Sequence, residues 1–115
     1  MKDNIIIDKT KEFSLSCIRL YKELQKEKEY VLSSQLLRSA TSIGANVREA
    51  DGGQSKKDFY AKMCIAYKEA RETAYCLELL EDSEITGLDI SVQKDQCEEI
   101  LRILTKIKLT TESSL

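Results

Sequence analysis

The sequence predicts an all-α fold, an antiparallel up-down-up-down four-helix bundle, on three observations. Proline is absent and only 4 glycines occur in 115 residues, too few turn-formers for the many connections of a β-rich fold. Apolar residues recur at three- and four-residue steps in four successive segments. The links between those segments are short, which favours antiparallel neighbours. The chain reads as one domain spanning 1–115, long enough to build a core without disulfide or metal staples.

Asp8 or Thr10 suits the N-cap of a first helix running to about Glu27, with Phe13, Cys17, Leu20 and Leu24 on one stripe. The mixed-charge run from Lys22 to Glu29 reads as a solvated helix end. Lys28 to Val31 supplies a turn, and Ser33 or Ser34 suits the cap of a second helix over about 32–50. Gly44 inside that helix costs about 1 kcal/mol relative to alanine. Close backbone approach by a neighbouring helix would offset it.

Asp51-Gly52-Gly53-Gln54 ends the second helix, with a glycine suited to a left-handed position after its last turn. Ser55, with Asp58 three residues on, opens a third helix that runs to about 82. Its main stripe is Phe59, Met63, Ala66, Ala70, Thr73, Leu77 and Leu80, with Tyr60, Tyr67 and Ala74 on a second and Ile65, Cys76 and Leu79 on a third. So much apolar surface implies contact from more than one side. Asp82 to Asp89 is a linker of turn-formers. A fourth helix from 89–91 to about 108 has Cys97, Ile100, Leu101, Leu104 and Ile107 as its seam, and the polar stretch from Thr110 to Leu115 is expected to fray.

The second helix is the most informative segment. Leu36, Ala40, Ile43, Val47 and Ala50 form its apolar face. Gln35, Ser39, Ser42, Asn46 and Glu49 repeat the same spacing one residue earlier, about 100° around the helix. A solvated face favours long charged side chains, so these short hydrogen-bonding ones predict another helix or subunit packed closely against them.

With 18 basic and 20 acidic residues the net charge is −2, which argues against a sequence-nonspecific nucleic-acid coat but not against a local basic patch. The 4 cysteines form no CxxC pair and histidine is absent, so they read as small core hydrophobes, reduced as in a cytoplasm. Ile5-Ile6-Ile7 is far shorter than a signal-peptide core, and no apolar run approaches the ~20 residues a membrane span needs. The expected localisation is cytoplasmic.

Glu69 and Glu72 lie on one face of the third helix. Di-iron bundles add histidine to such pairs, so no metal or other cofactor is expected here. Half-buried carboxylates need partners, and Arg38, Arg48 or Arg71 can supply one. Glu78 and Glu81 read as solvated. Ser39, Ser42 and Ser55 have no histidine base and Ser39 and Ser42 no nearby lysine on their helix, which leaves nucleophilic catalysis without support. The run from Gly52 to Lys57 lacks phosphate-loop spacing and a preceding strand, although its helix start could hold an anion weakly. Tyr60 and Tyr67 could stack bases, or serve as packing residues.

The segment QLLRSATSIGAN (Gln35–Asn46), continued by Arg48-Glu49-Ala50, then Ser55-x-x-Asp58-Phe59 and the run from Ile65 to Thr73, resembles the bacterial "four helix bundle protein" family. That family is also called the intervening-sequence protein of large-subunit ribosomal RNA genes, and some members carry a ribosomal-protein label. The resemblance covers nearly the whole chain; its central motif is specific and its outer helices generic. It implies an antiparallel four-helix bundle assembling into a homo-oligomeric ring, a pentamer, with no established enzymatic activity. A similar ring-forming bundle serves as a nucleic-acid-binding accessory to reverse transcriptases.

By position, the motif residues are Arg38, Ser42, Asn46, Glu49, Glu69 and Glu72. The chain reads Asn46-Val47-Arg48-Glu49-Ala50 where the family usually has Asn-Ile-Ala-Glu-Gly, and it lacks the proline before the second helix. The reverse-transcriptase accessory is markedly basic, whereas this chain is slightly acidic. The leading expectation is a noncatalytic scaffold assembling through Arg38, Ser39, Ser42, Asn46, Glu49, Glu69 and Glu72. Its rival is RNA or DNA binding through Arg38, Arg48 and the Lys56-Lys57 turn. A metal-dependent enzyme using Glu69 and Glu72 is the remote third.

Overall fold

The computed structural model describes residues 5–115. Helices α1 (Ile5–Lys26), α2 (Val31–Asp51), α3 (Lys56–Asp82) and α4 (Ser91–Glu112) follow one another, with no strand among the described residues. Each helix packs against its two neighbours around a square, α1 on α2 and α4, α3 on α2 and α4, while the diagonal pairs do not meet. Adjacent helices are antiparallel, giving a rod of 46 × 21 × 20 Å. One end carries the α1–α2 and α3–α4 connections; the α2–α3 turn, the start of α1 and the end of α4 lie at the other.

The core follows the apolar stripes. Phe13, Leu24, Leu36, Ile43, Met63 and Leu77 are fully buried, as are Ile100 and Leu104 from α4. Burying a side chain of this size contributes roughly 1.5–3 kcal/mol, which far exceeds any local propensity term and fixes which face of each helix points inward. Helix α3 is contacted from two sides, by α2 and by α4. Cys76 reaches the α2 side with its thiol 3.4 Å from the Leu32 carbonyl, and Cys97 crosses from α4 to the Ala70 carbonyl at 3.4 Å.

The helix ends depart from the sequence reading at four places. Helix α1 begins a turn before Thr10, because Ile6 extends the buried stripe. Thr10 is therefore interior, its hydroxyl donating to the Ile6 carbonyl at 2.8 Å, and Asp8 sits in the first turn facing the helix dipole rather than capping. Neither Ser33 nor Ser34 caps α2: their hydroxyls donate back to the Glu29 and Tyr30 carbonyls at 2.6 and 2.7 Å. Glu29 instead accepts the Leu32 and Ser33 amides at 3.2 and 2.7 Å, after Lys28 turns the chain at φ 64°.

Neither Gly52 nor Gly53 has a positive φ. Gly53 is favoured for proximity instead, since a Cβ there would lie a tight 3.0 Å from the Ala50 carbonyl. The fourth departure is α4, which runs a turn past the expected end to Glu112. The Tyr60 hydroxyl donates to the Glu112 carboxylate at 2.6 Å and fastens that turn to α3. Ser55 behaves as expected, accepting the Asp58 amide at 3.1 Å. Gly44 faces α1, but the atoms nearest a Cβ there are the side chains of Thr10, at 3.5 Å, and Ser14, at 3.7 Å, not main chain.

Candidate functional site

The α2–α3 seam gathers most of the polar residues singled out in the sequence. Antiparallel packing sets Ser39 opposite Thr73, Arg38 opposite Glu69 and Glu72, and Glu49 opposite Lys62. Ser39 and Thr73 are fully buried and share a hydrogen bond of 2.8 Å between hydroxyls. Thr73 also lies 2.7 Å from the Glu69 carbonyl. Two hydroxyl protons thus satisfy two buried oxygens and a main-chain acceptor, which removes the desolvation cost of placing them in the core.

Arg38 bridges both carboxylates of the third helix. Its guanidinium lies 3.3 Å from Glu69 and also contacts Glu72. The Glu69 side chain is only 14% exposed against 54% for Arg38, so the arginine reaches in from solvent to neutralise a largely enclosed anion. Of the three arginines that could have served, Arg38 is the one that pairs with both glutamates, since Arg48 lies ten residues further along α2. Arg71 turns to the α4 side, where it hydrogen-bonds the Tyr67 phenol and lowers its pKa. Glu49 pairs with Lys62 at 3.0 Å, and neither group is buried.

Ser42 and Asn46 behave differently. Both are half-buried, and their polar groups turn to their own helix: Ser42 donates to the Arg38 carbonyl at 2.8 Å and Asn46 to the Ser42 carbonyl at 2.8 Å. The close neighbour expected along the small polar stripe is therefore α3 of the same chain at Ser39. At Ser42 and Asn46 the seam opens outward, beside Ile65, which stays 41% exposed on α3.

Arg48, Lys56 and Lys57 all lie toward the end carrying the α2–α3 turn, and all three are exposed. Arg38 does not join them. It lies about 15 Å along the axis from Arg48, at 1.5 Å per residue, and is held by two carboxylates.

Charge is sorted along the rod, which periodicity does not reveal. Glu78, Asp82, Glu84, Asp89 and Asp95 surround the α3–α4 connection. Lys94 there pairs with Glu81, and the α1–α2 connection at the same end mixes Lys26 and Lys28 with Glu27 and Glu29. Lys62, Lys68, Lys106 and Lys108 lie toward the opposite end with Arg48, Lys56 and Lys57. On the outer side, α3 and α4 border a groove of about 350 Å³ lined by Tyr67, Arg71, Ala74, Tyr75, Glu78 and Leu101. Lys108 stacks over the Tyr67 ring at 4.1 Å.

Residues 2–106 match the family of the 23S rRNA-intervening sequence protein. The chain belongs to that family. A solved relative is similar over the same bundle: the crystal structure of a protein with unknown function from the S23 ribosomal protein family, from Bacteroides thetaiotaomicron VPI-5482. It is 46% identical, covers 90% of this chain and 98% of that one, and superposes with a TM-score of 0.85. No curated protein matches. The matched range of the intervening-sequence family includes every seam residue described above and the Arg48, Lys56 and Lys57 end. Among the described residues no helix is long and apolar enough to cross a membrane, and no group of acidic or thiol side chains could hold a metal ion.

Proposed function

We propose that this chain is a noncatalytic scaffold that assembles into a homo-oligomeric ring, a pentamer, and associates with ribosomal or other structured RNA. The observation that supports it best is the sorting of charge along the bundle. A ring of like-oriented copies carries the Arg48, Lys56 and Lys57 turns on one rim and the acidic connections on the other. Each turn alone is a weak anion site. Several on one rim act together on one phosphate backbone, so avidity compensates for a net charge of −2 per chain. The outward-facing stretch of the seam at Ser42, Asn46 and Ile65, stiffened by Arg38 with Glu69 and Glu72, is the lateral contact in this reading.

Titration of the purified protein against ribosomal RNA fragments at several salt concentrations tests it. Binding should weaken with salt, and the double variant Lys56→Glu, Lys57→Glu should lower affinity at least tenfold while light scattering reports an unchanged particle. A monomer at micromolar concentration would remove the ring, and binding indifferent to both lysines would remove the rim.

A further inference from the structure

The face formed by α3 and α4 is built to meet itself. Two tethers fix the register of these helices, Tyr60 to Glu112 at one end and Glu81 to Lys94 at the other. Between them the outward groups divide about a centre near Tyr75 and Leu101. Glu78, Asp95 and Glu98 lie on one side of that centre, and Lys68, Arg71 and Arg102 on the other. All six are exposed, and none makes an ion pair with another described residue. At the centre, Tyr75 is 60% exposed on the rim of the groove that Leu101 and Ala74 line.

A face with one acidic half, one basic half and an apolar middle is complementary to a copy of itself rotated by 180° about an axis through the middle. Antiparallel pairing sets the acidic half of each copy on the basic half of the other and brings both Tyr75 rings to the dyad. Parallel pairing sets like charge on like charge and is disfavoured. We infer that the outer α3–α4 face binds a second copy of this chain in antiparallel, two-fold fashion, with Tyr75 at its centre. This contact uses neither the α2–α3 seam nor the Lys56-Lys57 rim, so it stands apart from the proposed ring and would join rings side by side where both form.

Sedimentation velocity combined with light scattering at micromolar concentration tests it. The variant Glu78→Lys, Glu98→Lys turns the acidic half net basic, and Lys68→Glu, Arg102→Glu turns the basic half net acidic, with Asp95 and Arg71 left in place. Each should lower the particle mass, by half where the contact joins two single chains. Combining all four reverses the net sign of both halves, restores the complementarity and should recover mass toward that of the wild type, with circular dichroism confirming the fold of each variant. Mass unchanged in both charge variants overturns the pairing, as does failure of the fourfold variant to recover. A mass that falls to that of a closed ring supports the pairing and preserves the ring. Loss of RNA affinity in Lys68→Glu, Arg102→Glu at constant mass would assign the basic half to nucleic acid and overturn the self-contact.

Discussion

Thr73 on α3 and Ser39 on α2 share a hydrogen bond of 2.8 Å inside the core, where neither residue is exposed to solvent. This pair is why the second helix carries short polar side chains beside its apolar face: a longer residue at 39 would push α3 away. Thr73→Val keeps the shape and deletes one hydroxyl, leaving Ser39 to the more distant Leu36 carbonyl at 3.4 Å. The expected loss is about 1–2 kcal/mol in urea unfolding. Ser39→Ala combined with Thr73→Val should cost less than the sum of the single changes, because no orphaned hydroxyl remains. Strict additivity would show that the two hydroxyls are energetically independent.

Arg38 and the two glutamates give a second, salt-sensitive test. Arg38→Met keeps the stem but strips Glu69 of its cation, and a largely enclosed carboxylate left without one destabilises by about 1–3 kcal/mol. Glu72→Gln removes only the more exposed arm, 42% accessible, and should cost under about 1 kcal/mol. Denaturant midpoints for both variants in low and high salt report the ordering. Equal costs would place the stabilisation in the exposed arm instead.

Much of this was legible in the residues. Buried stripes at 3.6 periodicity located all four helices, since apolar burial outweighs local terms. Ser55 was legible as a cap because its contact is local. The ends of α1 and α4 were not: Ile6 is held by distant core partners and Glu112 by Tyr60, 52 positions away in sequence. Serines 33 and 34 misled because Glu29, before the helix, already takes the free amides. The seam showed in its small side chains, and of the two neighbours they allowed, a helix or a subunit, the one at Ser39 is the helix α3. The partner of Glu49 and the sorting of charge became visible only once antiparallel packing had set the heights of the helices.

Gly44 offers a prediction of opposite sign to the usual core substitution. The nearest atoms to an added methyl would be Thr10 Oγ1 at 3.5 Å and Thr10 Cβ at 3.6 Å, ordinary van der Waals contact. Alanine is therefore accommodated and recovers about 1 kcal/mol of helix propensity. Gly44→Ala should raise the melting temperature by a few degrees, whereas Gly53→Ala, whose methyl would meet the Ala50 carbonyl at 3.0 Å, should lower it. A destabilised Gly44→Ala would mean that the space beside Thr10 and Ser14 is tighter than these distances indicate.

The buried thiols set an alkaline limit on stability. Burial pushes Cys17 and Cys97 from 9.0 up to about 12, and Cys76 up to about 11. An unfolded thiol ionises near 9, while the native one stays protonated. Between these values the unfolded chain holds fewer protons, so stability falls as pH rises from about 9 and levels off once the native pKa is passed. The loss is about 1.4 kcal/mol per pH unit for each thiol in that window. Urea unfolding followed from pH 7 to 11 should show this decline, and the double variant Cys17→Ala, Cys97→Ala, though weaker at pH 7, should show a shallower one. At neutral pH, iodoacetamide should modify the half-buried Cys64 well before the other three. Equal labelling of all four in the folded protein would mean that the core opens far more readily than its packing implies.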